Sequence, residues 1–238
     1  METENKLDHL AIIMDGNRRW AKLNNKTTKE GHKAGAEKLV EVVKWCIELD
    51  IKYLTVYAFS TENWKRDETE INDIMFLLKE FLSSKVEDFK KENIKLKVIG
   101  SEEKVDKDII NKVREIEKST LNNTKLQLNI AFNYGGRQEI VDIAKNIAKD
   151  ILSSKIKVEN ITEDVLKKYL YYGDIPDPDI LIRTGSDARI SNFLLWEVAY
   201  SELYFTDEFW PDFTKNTLVN IINNFKKKER RYGGTITK

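Results

Sequence analysis

What most constrains the fold of this chain is an alternation. Short β-branched and aliphatic runs take turns with longer segments in which apolar residues recur at helical spacing. Residues 9–14, 53–59, 94–99, 126–132, 180–182 and 199–205 read as strands. Residues 33–49, 69–91, 138–152 and 218–225 read as helices, with another around Ile109, Val113 and Ile116 and a short one after Thr162. Strands that alternate with helices predict the α/β class: a largely parallel central sheet flanked by helices. No composition break divides the chain, so residues 1–238 are expected to form a single domain.

Composition narrows the function. The 238 residues are 41% hydrophobic, enough for a large core. Lysine and arginine number 40, aspartate and glutamate 40, so the formal net charge is zero and no global field draws nucleic acid. Any anion must be caught by a local cluster. The one cysteine, Cys46, lies on an apolar helical stripe and reads as a packed thiol. The first residues lack the order of a signal peptide and no apolar run is long enough to span a bilayer, so a cytoplasmic protein is expected.

Three strands end in polar clusters. The first runs into Asp15, Gly16, Asn17, Arg18, Arg19 and Trp20; the second into Ser60, Thr61, Glu62, Asn63, Trp64, Lys65 and Arg66; the strand at 180–182 into Arg183, Thr184, Gly185, Ser186, Asp187, Ala188, Arg189, Ile190 and Ser191. In an open α/β sheet, ligands sit beyond the carboxyl ends of the strands, so parallel topology would gather the clusters at one edge. Paired arginines among hydroxyls suit phosphate, and carboxylates beside them suit Mg²⁺ bridging a phosphate. Neither a P-loop nor a dinucleotide fingerprint occurs. Residues 22–31 read as a mobile loop, with Gly31 and His32 at the exposed N-terminus of the next helix, where an anion would be favoured. The helix at 69–91 carries more apolar residues than one stripe needs, which predicts a second greasy contact. His9, Trp45, Trp196 and Trp210 read as structural residues, and Trp20 does so on its spacing alone.

The motifs IIMDGN-R-W, GHKAG, YAFSTENW, NYGGR, PDPDILIRT, RISNFLLW and AYSELYF-D-WPDF run nearly end to end. With them the chain resembles the cis-prenyltransferases, and most closely those of the bacterial undecaprenyl diphosphate synthase type. The resemblance implies a usually dimeric Mg²⁺-dependent enzyme that adds isopentenyl diphosphate units to farnesyl diphosphate and so makes undecaprenyl diphosphate, a lipid carrier precursor for cell-wall synthesis. Membrane contact at the inner face would then follow from the product.

It implies that Asp15 holds Mg²⁺ and the allylic diphosphate, with Gly16, Asn17, Arg19 and His32, and that Glu202 completes the metal site. It implies that Ser60 and Asn63 serve the condensation step and that Trp64 and Arg66 shape the site. Arg183, Arg189 and Ser191 would bind isopentenyl diphosphate. Arg18, Trp20, Thr61 and Glu62 join the substrate-binding segments, and Arg231 and Gly233 a C-terminal element. The chain departs from the family pattern at Arg18, where glycine is common, at Thr28, where an arginine is common and Lys26 or Lys29 could substitute, and at residues 185–188. Leu77, Phe81 and Phe89 are candidate floor residues of an apolar product tunnel. A non-catalytic prenyl-binding subunit would be expected to lack Asp15 or Arg183, and a phosphohydrolase would form no carbon–carbon bond.

Overall fold

The computed structural model describes residues 5–173 and 175–228. Six strands are built from the apolar runs: β1 (His9–Ile13), β2 (Tyr53–Ser60), β3 (Ile94–Ile99), β4 (Leu126–Tyr134), β5 (Ile180–Arg183) and β6 (Glu202–Phe205). They form one sheet in the order β3-β4-β2-β1-β5-β6, and every neighbouring pair is parallel. The α/β expectation is met. All carboxyl ends therefore share one edge, and the strand order reverses at β1, which pairs with β2 on one side and β5 on the other. A crevice outside the strands is expected at that reversal.

Seven helices accompany the sheet among the described residues: α1 (Asn17–Leu23), α2 (Thr28–Glu48), α3 (Glu68–Lys91), α4 (Lys107–Ser119), α5 (Gly136–Leu152), α6 (Glu163–Lys167) and α7 (Lys215–Lys226). Alternate strand residues feed two cores. Leu10, Ile12, Leu54 and Val56 pack with α2, α3, α4 and α7, while Ala11, Ile13, Ala131 and Leu181 pack with Ile143 and Ile147 of α5 and with Tyr172 and Phe193. Cys46 is fully buried, and desolvation pushes its thiol pKa up, which fits a packed core residue.

Residues 22–31 are not the long loop the composition suggested. Thr27 caps α2 with a capping box: its hydroxyl accepts from the Glu30 N–H, and the Glu30 carboxylate accepts from the Thr27 N–H. The Gly31 N–H is spent on the Thr27 carbonyl, so Gly31 and His32 lie inside the first turns and offer no free helix terminus. The last strand begins at Glu202 rather than residue 199, where the Glu202 N–H meets the Asp179 carbonyl.

His9 is the structural residue its place in β1 predicts. The Pro176 carbonyl can only accept, so His9 Nδ1–H donates to it (2.7 Å); Nε2 of the neutral ring then accepts from the Thr55 hydroxyl (2.7 Å), which accepts from Asn129 Nδ2 (2.9 Å). Burial lowers the His9 pKa to about 4, against the pull of the Pro176 bond. Between pH 6.5 and 4 the unfolded chain takes up a proton that the folded one refuses. Acidification through this window should therefore cost up to about 3 kcal/mol of stability. Urea unfolding at pH 7 and pH 4.5 checks this. His9→Gln, which does not titrate, should flatten the dependence, and an unchanged slope refutes the assignment.

Candidate active site

The clusters after β1, β2 and β5 converge as their parallel order requires. They line an open polar cavity of about 850 Å³ with Asp15, Gly16, Asn17, Arg18, Arg19, His32, Ser60, Asn63, Arg66, Arg183, Arg189 and Ser191 on its walls. At its centre lies a chain of ion pairs. Arg183 Nη2 donates to Asp15 Oδ2 at 2.8 Å, and its Nη1 donates to Ser191 Oγ and to the Arg189 carbonyl, both at 2.6 Å. Arg19 Nη2 lies 3.2 Å from Asp15 Oδ1. The Arg183 side chain is 5% exposed and that of Asp15 29%, so the arginine is a buried cation fixed against a more open carboxylate.

Local sequence explains why Asp15 stands where it does. Gly16 takes φ +105°, a conformation that L side chains rarely adopt, and a Cβ there would lie 2.6 Å from Phe209 Cδ1. The turn lets the Gly16 N–H donate to Asp15 Oδ1 at 2.6 Å. Thr184 Oγ1 accepts from the Asp15 N–H (3.0 Å) and donates to the Asp15 carbonyl (2.7 Å). The Trp210 N–H donates to the same carbonyl. Ser60 and Asn63 are locked by a capping box in which the Ser60 N–H donates to Asn63 Oδ1 at 3.0 Å.

Glu70 of α3, absent from the sequence expectations, organises the rim. It is 3.0 Å from Arg66 Nη1, 3.1 Å from His32 Nε2 and 3.5 Å from Arg18 Nη1, with a side chain 10% exposed. Burial, opposed by the bond to Glu70, lowers the His32 pKa, so at neutral pH the imidazole is uncharged and its Nε2–H donates to the carboxylate. The signal was present as Arg66 and Glu70 at helical i,i+4 spacing. Met14, Lys22, Lys26, Thr28, Tyr57 and Asp187 also line the cavity. Lys26 rather than Lys29 thus faces the site; Lys29 pairs with Asp73 at 2.9 Å. Desolvation works against ionisation of Asp187, but its Arg189 bond and the charges of Arg19 and Arg183 outweigh it and hold the carboxyl below the usual range.

Other expected residues have different partners. Trp20 Nε1 donates to Asp212, Trp64 Nε1 to Asn133 Oδ1, and Glu62 accepts from Asn192 Nδ2. Thr61 abuts Gly135. These residues brace the cavity rather than line it. Glu202 opens β6 at the far end of the strand, paired with Lys228, so within one chain it is not brought to Asp15. Arg231 and Gly233 lie outside the described residues.

Among the described residues no group of three or more histidine, cysteine, aspartate or glutamate side chains could cage a metal. The donor set suits a different arrangement. Asp15 and Asp187 both approach Arg19 and Arg183, and Mg²⁺ is commonly held by one or two carboxylates plus substrate phosphate oxygens. Asp15 could serve as the protein ligand of such an ion.

A second, apolar cavity of about 100 Å³ shares Met14, Asn17, His32 and Ala58 with the polar one. It continues between α2, α3 and the sheet, past Leu39, Ile74, Leu77, Leu78 and Phe81 to Ile130 and Phe132. The α3 side chains on its wall include Ile74, Leu78 and Phe81, which also belong to the sheet-facing core. Phe89 does not line it and packs behind Phe81, ring centroids 5.8 Å apart.

Comparison with known proteins agrees with the geometry. Residues 13–233 match the undecaprenyl diphosphate synthase family model. The chain is 48% identical over 227 residues to a tritrans,polycis-undecaprenyl-diphosphate synthase (geranylgeranyl-diphosphate specific) from Pyrococcus horikoshii, covering 94% of this chain and 86% of that one. It is 46% identical over 228 residues to an isoprenyl transferase from Thermotoga maritima, covering 96% and 97%. Among solved structures, lavandulyl diphosphate synthase from Lavandula x intermedia, in complex with dimethylallyl diphosphate, superposes with TM-score 0.90 at 30% identity, covering 95% of this chain and 98% of that one. A probable undecaprenyl diphosphate synthase from Campylobacter jejuni gives 0.80 at 34%, covering 96% and 99%. With an arginine-lined polar cavity opening onto an apolar one, and this likeness along nearly its whole length, the chain belongs to the undecaprenyl diphosphate synthase family of prenyltransferases.

Proposed function

We propose that the protein condenses isopentenyl diphosphate units, in cis, onto farnesyl diphosphate, and that it makes undecaprenyl diphosphate for cell-wall synthesis. The observation that carries this reading is the junction of the two cavities: a diphosphate held at Asp15 and Arg19 points its hydrocarbon past Met14 and Ala58 into the apolar channel. Arg183, Arg189 and Ser191 then hold the diphosphate of the incoming unit beside the allylic carbon, which supplies proximity and orientation. The allylic C–O bond breaks and its electrons leave with the diphosphate. The π electrons of isopentenyl diphosphate form the new carbon–carbon bond, and a C–H bond of that unit gives its electrons to the new alkene as the released diphosphate takes the proton. Mg²⁺ bound by Asp15 and the substrate would neutralise the departing diphosphate. The arginines and the Gly16 turn fix where that charge develops, and the apolar side chains of the channel disfavour water near the carbocation. Ser60 and Asn63, locked to each other, shape the wall between the two diphosphates.

The exposed edge strand β6, with Leu203 and Phe205 outward and Tyr200 nearby, supports a homodimer, which would also give Glu202 a second chain to serve. No helix among the described residues is long and apolar enough to cross a membrane. A cytoplasmic enzyme that touches the membrane only to deliver its product fits that fact. Incubation with farnesyl diphosphate, isopentenyl diphosphate and Mg²⁺, with products measured by mass spectrometry, tests the reading; no chain extension sinks it. Geranylgeranyl diphosphate in a parallel arm tests the primer, since the Pyrococcus relative is named for that substrate.

Two further expectations follow from the walls. An engineered cavity of about 150 Å³ holds a benzene ring, so a channel of about 100 Å³ must open as the chain lengthens. Phe81, a large and nearly buried aromatic on its wall, is the side chain to move. Phe81→Ala should shift the product distribution to longer chains, read by mass spectrometry, and an unchanged distribution discards Phe81 as the floor. Glu70→Ala should free His32, Arg66 and Arg18 together, raising KM for the allylic substrate about tenfold and lowering stability by about 1–3 kcal/mol. Steady-state kinetics and urea unfolding read both, and Glu70→Gln should lie between.

A further inference from the structure

Asp187 sits among three guanidiniums. Its Oδ1 accepts from Arg189 Nη1 at 2.9 Å, and its Oδ2 lies 3.4 Å from Arg19 Nη2 and 3.8 Å from Arg183 Nη2. Arg19 belongs to the cluster after β1, Arg183 and Arg189 to the cluster after β5, so this carboxylate joins the two halves of the site. The turn beneath it is fixed by backbone. Gly185 and Ser186 have φ of +86° and +69°, and their N–H groups donate to the carbonyls of Glu208 (2.7 Å) and Thr206 (2.9 Å). A Cβ on Gly185 would lie 2.7 Å from Arg19 Nη2, so the turn is packed directly against the first cluster. The Asp187 carboxylate, by contrast, is 30% exposed, and exposed ion pairs exchange readily with other anions.

We infer that Asp187 is a positioning residue that stands in for a phosphate: its carboxylate bridges the arginines of the two clusters in the free enzyme, and an incoming diphosphate replaces it there. The inference rests on the reading of the cavity as a diphosphate site. Three converging guanidiniums repel one another, and a carboxylate on a rigid turn keeps them aimed at a common point. Carboxylate and phosphate engage the arginine fork alike, but a diphosphate brings more charge and more oxygens. When the first diphosphate takes Arg19, Asp187 loses one of its partners and holds Arg183 and Arg189 less firmly. Entry of one substrate thereby eases entry of the other.

Calorimetric titration with inorganic diphosphate, in the absence and presence of Mg²⁺, tests this on wild type, D187N, D187E and R189M. Removing one like charge at a half-exposed position should make D187N bind Mg²⁺-free diphosphate about three- to tenfold tighter than wild type. D187E should stay near wild type. A merely structural role predicts the opposite, weaker binding by D187N, and a metal-ligand role predicts weaker binding when Mg²⁺ is present. Equal or weaker affinity of D187N in either condition overturns the inference. Wild-type binding that weakens in R189M confirms that the titrated diphosphate occupies this cradle. If wild type binds no diphosphate in either condition, the diphosphate reading of the cavity fails, and the inference with it.

Discussion

Asp15→Asn is expected to lower kcat/KM by about 10²–10³-fold, the range that follows loss of one preorganised electrostatic contact at a developing charge. The substitution keeps shape and one oxygen that can accept from the Gly16 N–H at the place now 2.6 Å away. It removes the charge facing Arg19 and Arg183, and it turns an amide N–H₂ toward Arg183 Nη2, now 2.8 Å from Asp15 Oδ2. Donor then faces donor. Because the arginine side chain is 5% exposed, solvent does little to compensate, and about 1–3 kcal/mol of stability should go as well. Kinetics at several Mg²⁺ concentrations separate the two effects. If Asp15 carries the metal, the folded variant should need more Mg²⁺ than wild type for its half-maximal rate. A rate within a few-fold of wild type would reduce Asp15 to a counter-ion for its arginines.

The same residue shows how far sequence reasoning reaches. An apolar run ending in Asp-Gly-Asn could be any strand-to-loop turn. Its meaning came from two other runs with the same ending, and from a parallel order that puts all three endings on one edge. The sheet was therefore legible in outline, because period-2 and period-3.6 patterns are local properties of the chain. The start of α2 was not, since Thr27 and Glu30 form their capping box in a stretch with little apolar content, and periodicity has nothing to register there. Glu70 and Asp187 were missed as site residues for another reason. Each draws on partners distant in sequence: Glu70 meets Arg18 of α1 and His32 of α2 as well as nearby Arg66, and Asp187 meets Arg19. Glu202 shows the converse. Its motif position suggests a metal ligand, yet parallel register puts it at the opposite end of β6, opposite Ile180 rather than beside Arg183.

Arg183→Met should be the most damaging single change to the fold of the site. The guanidinium supplies Asp15, Ser191 and the Arg189 carbonyl at once, in two directions. Losing it leaves Asp15 with Arg19 alone and unpins the segment that carries Arg189. Breaking a buried pair by removing one partner costs about 3–5 kcal/mol, and substrate binding should fall with it. Arg183→Lys will rescue only part, because a single ammonium cannot reach acceptors that the planar fork serves from two nitrogens. Arg189 offers the control. Its side chain is 61% exposed and pairs with Asp187 at 2.9 Å, so Arg189→Met should cost less than about 1 kcal/mol of stability while still weakening diphosphate binding. Urea unfolding alongside titration with isopentenyl diphosphate distinguishes the two arginines. Equal stability losses would mean that the buried ion pair does not organise the site, and that Arg183 is one more surface contact to the substrate.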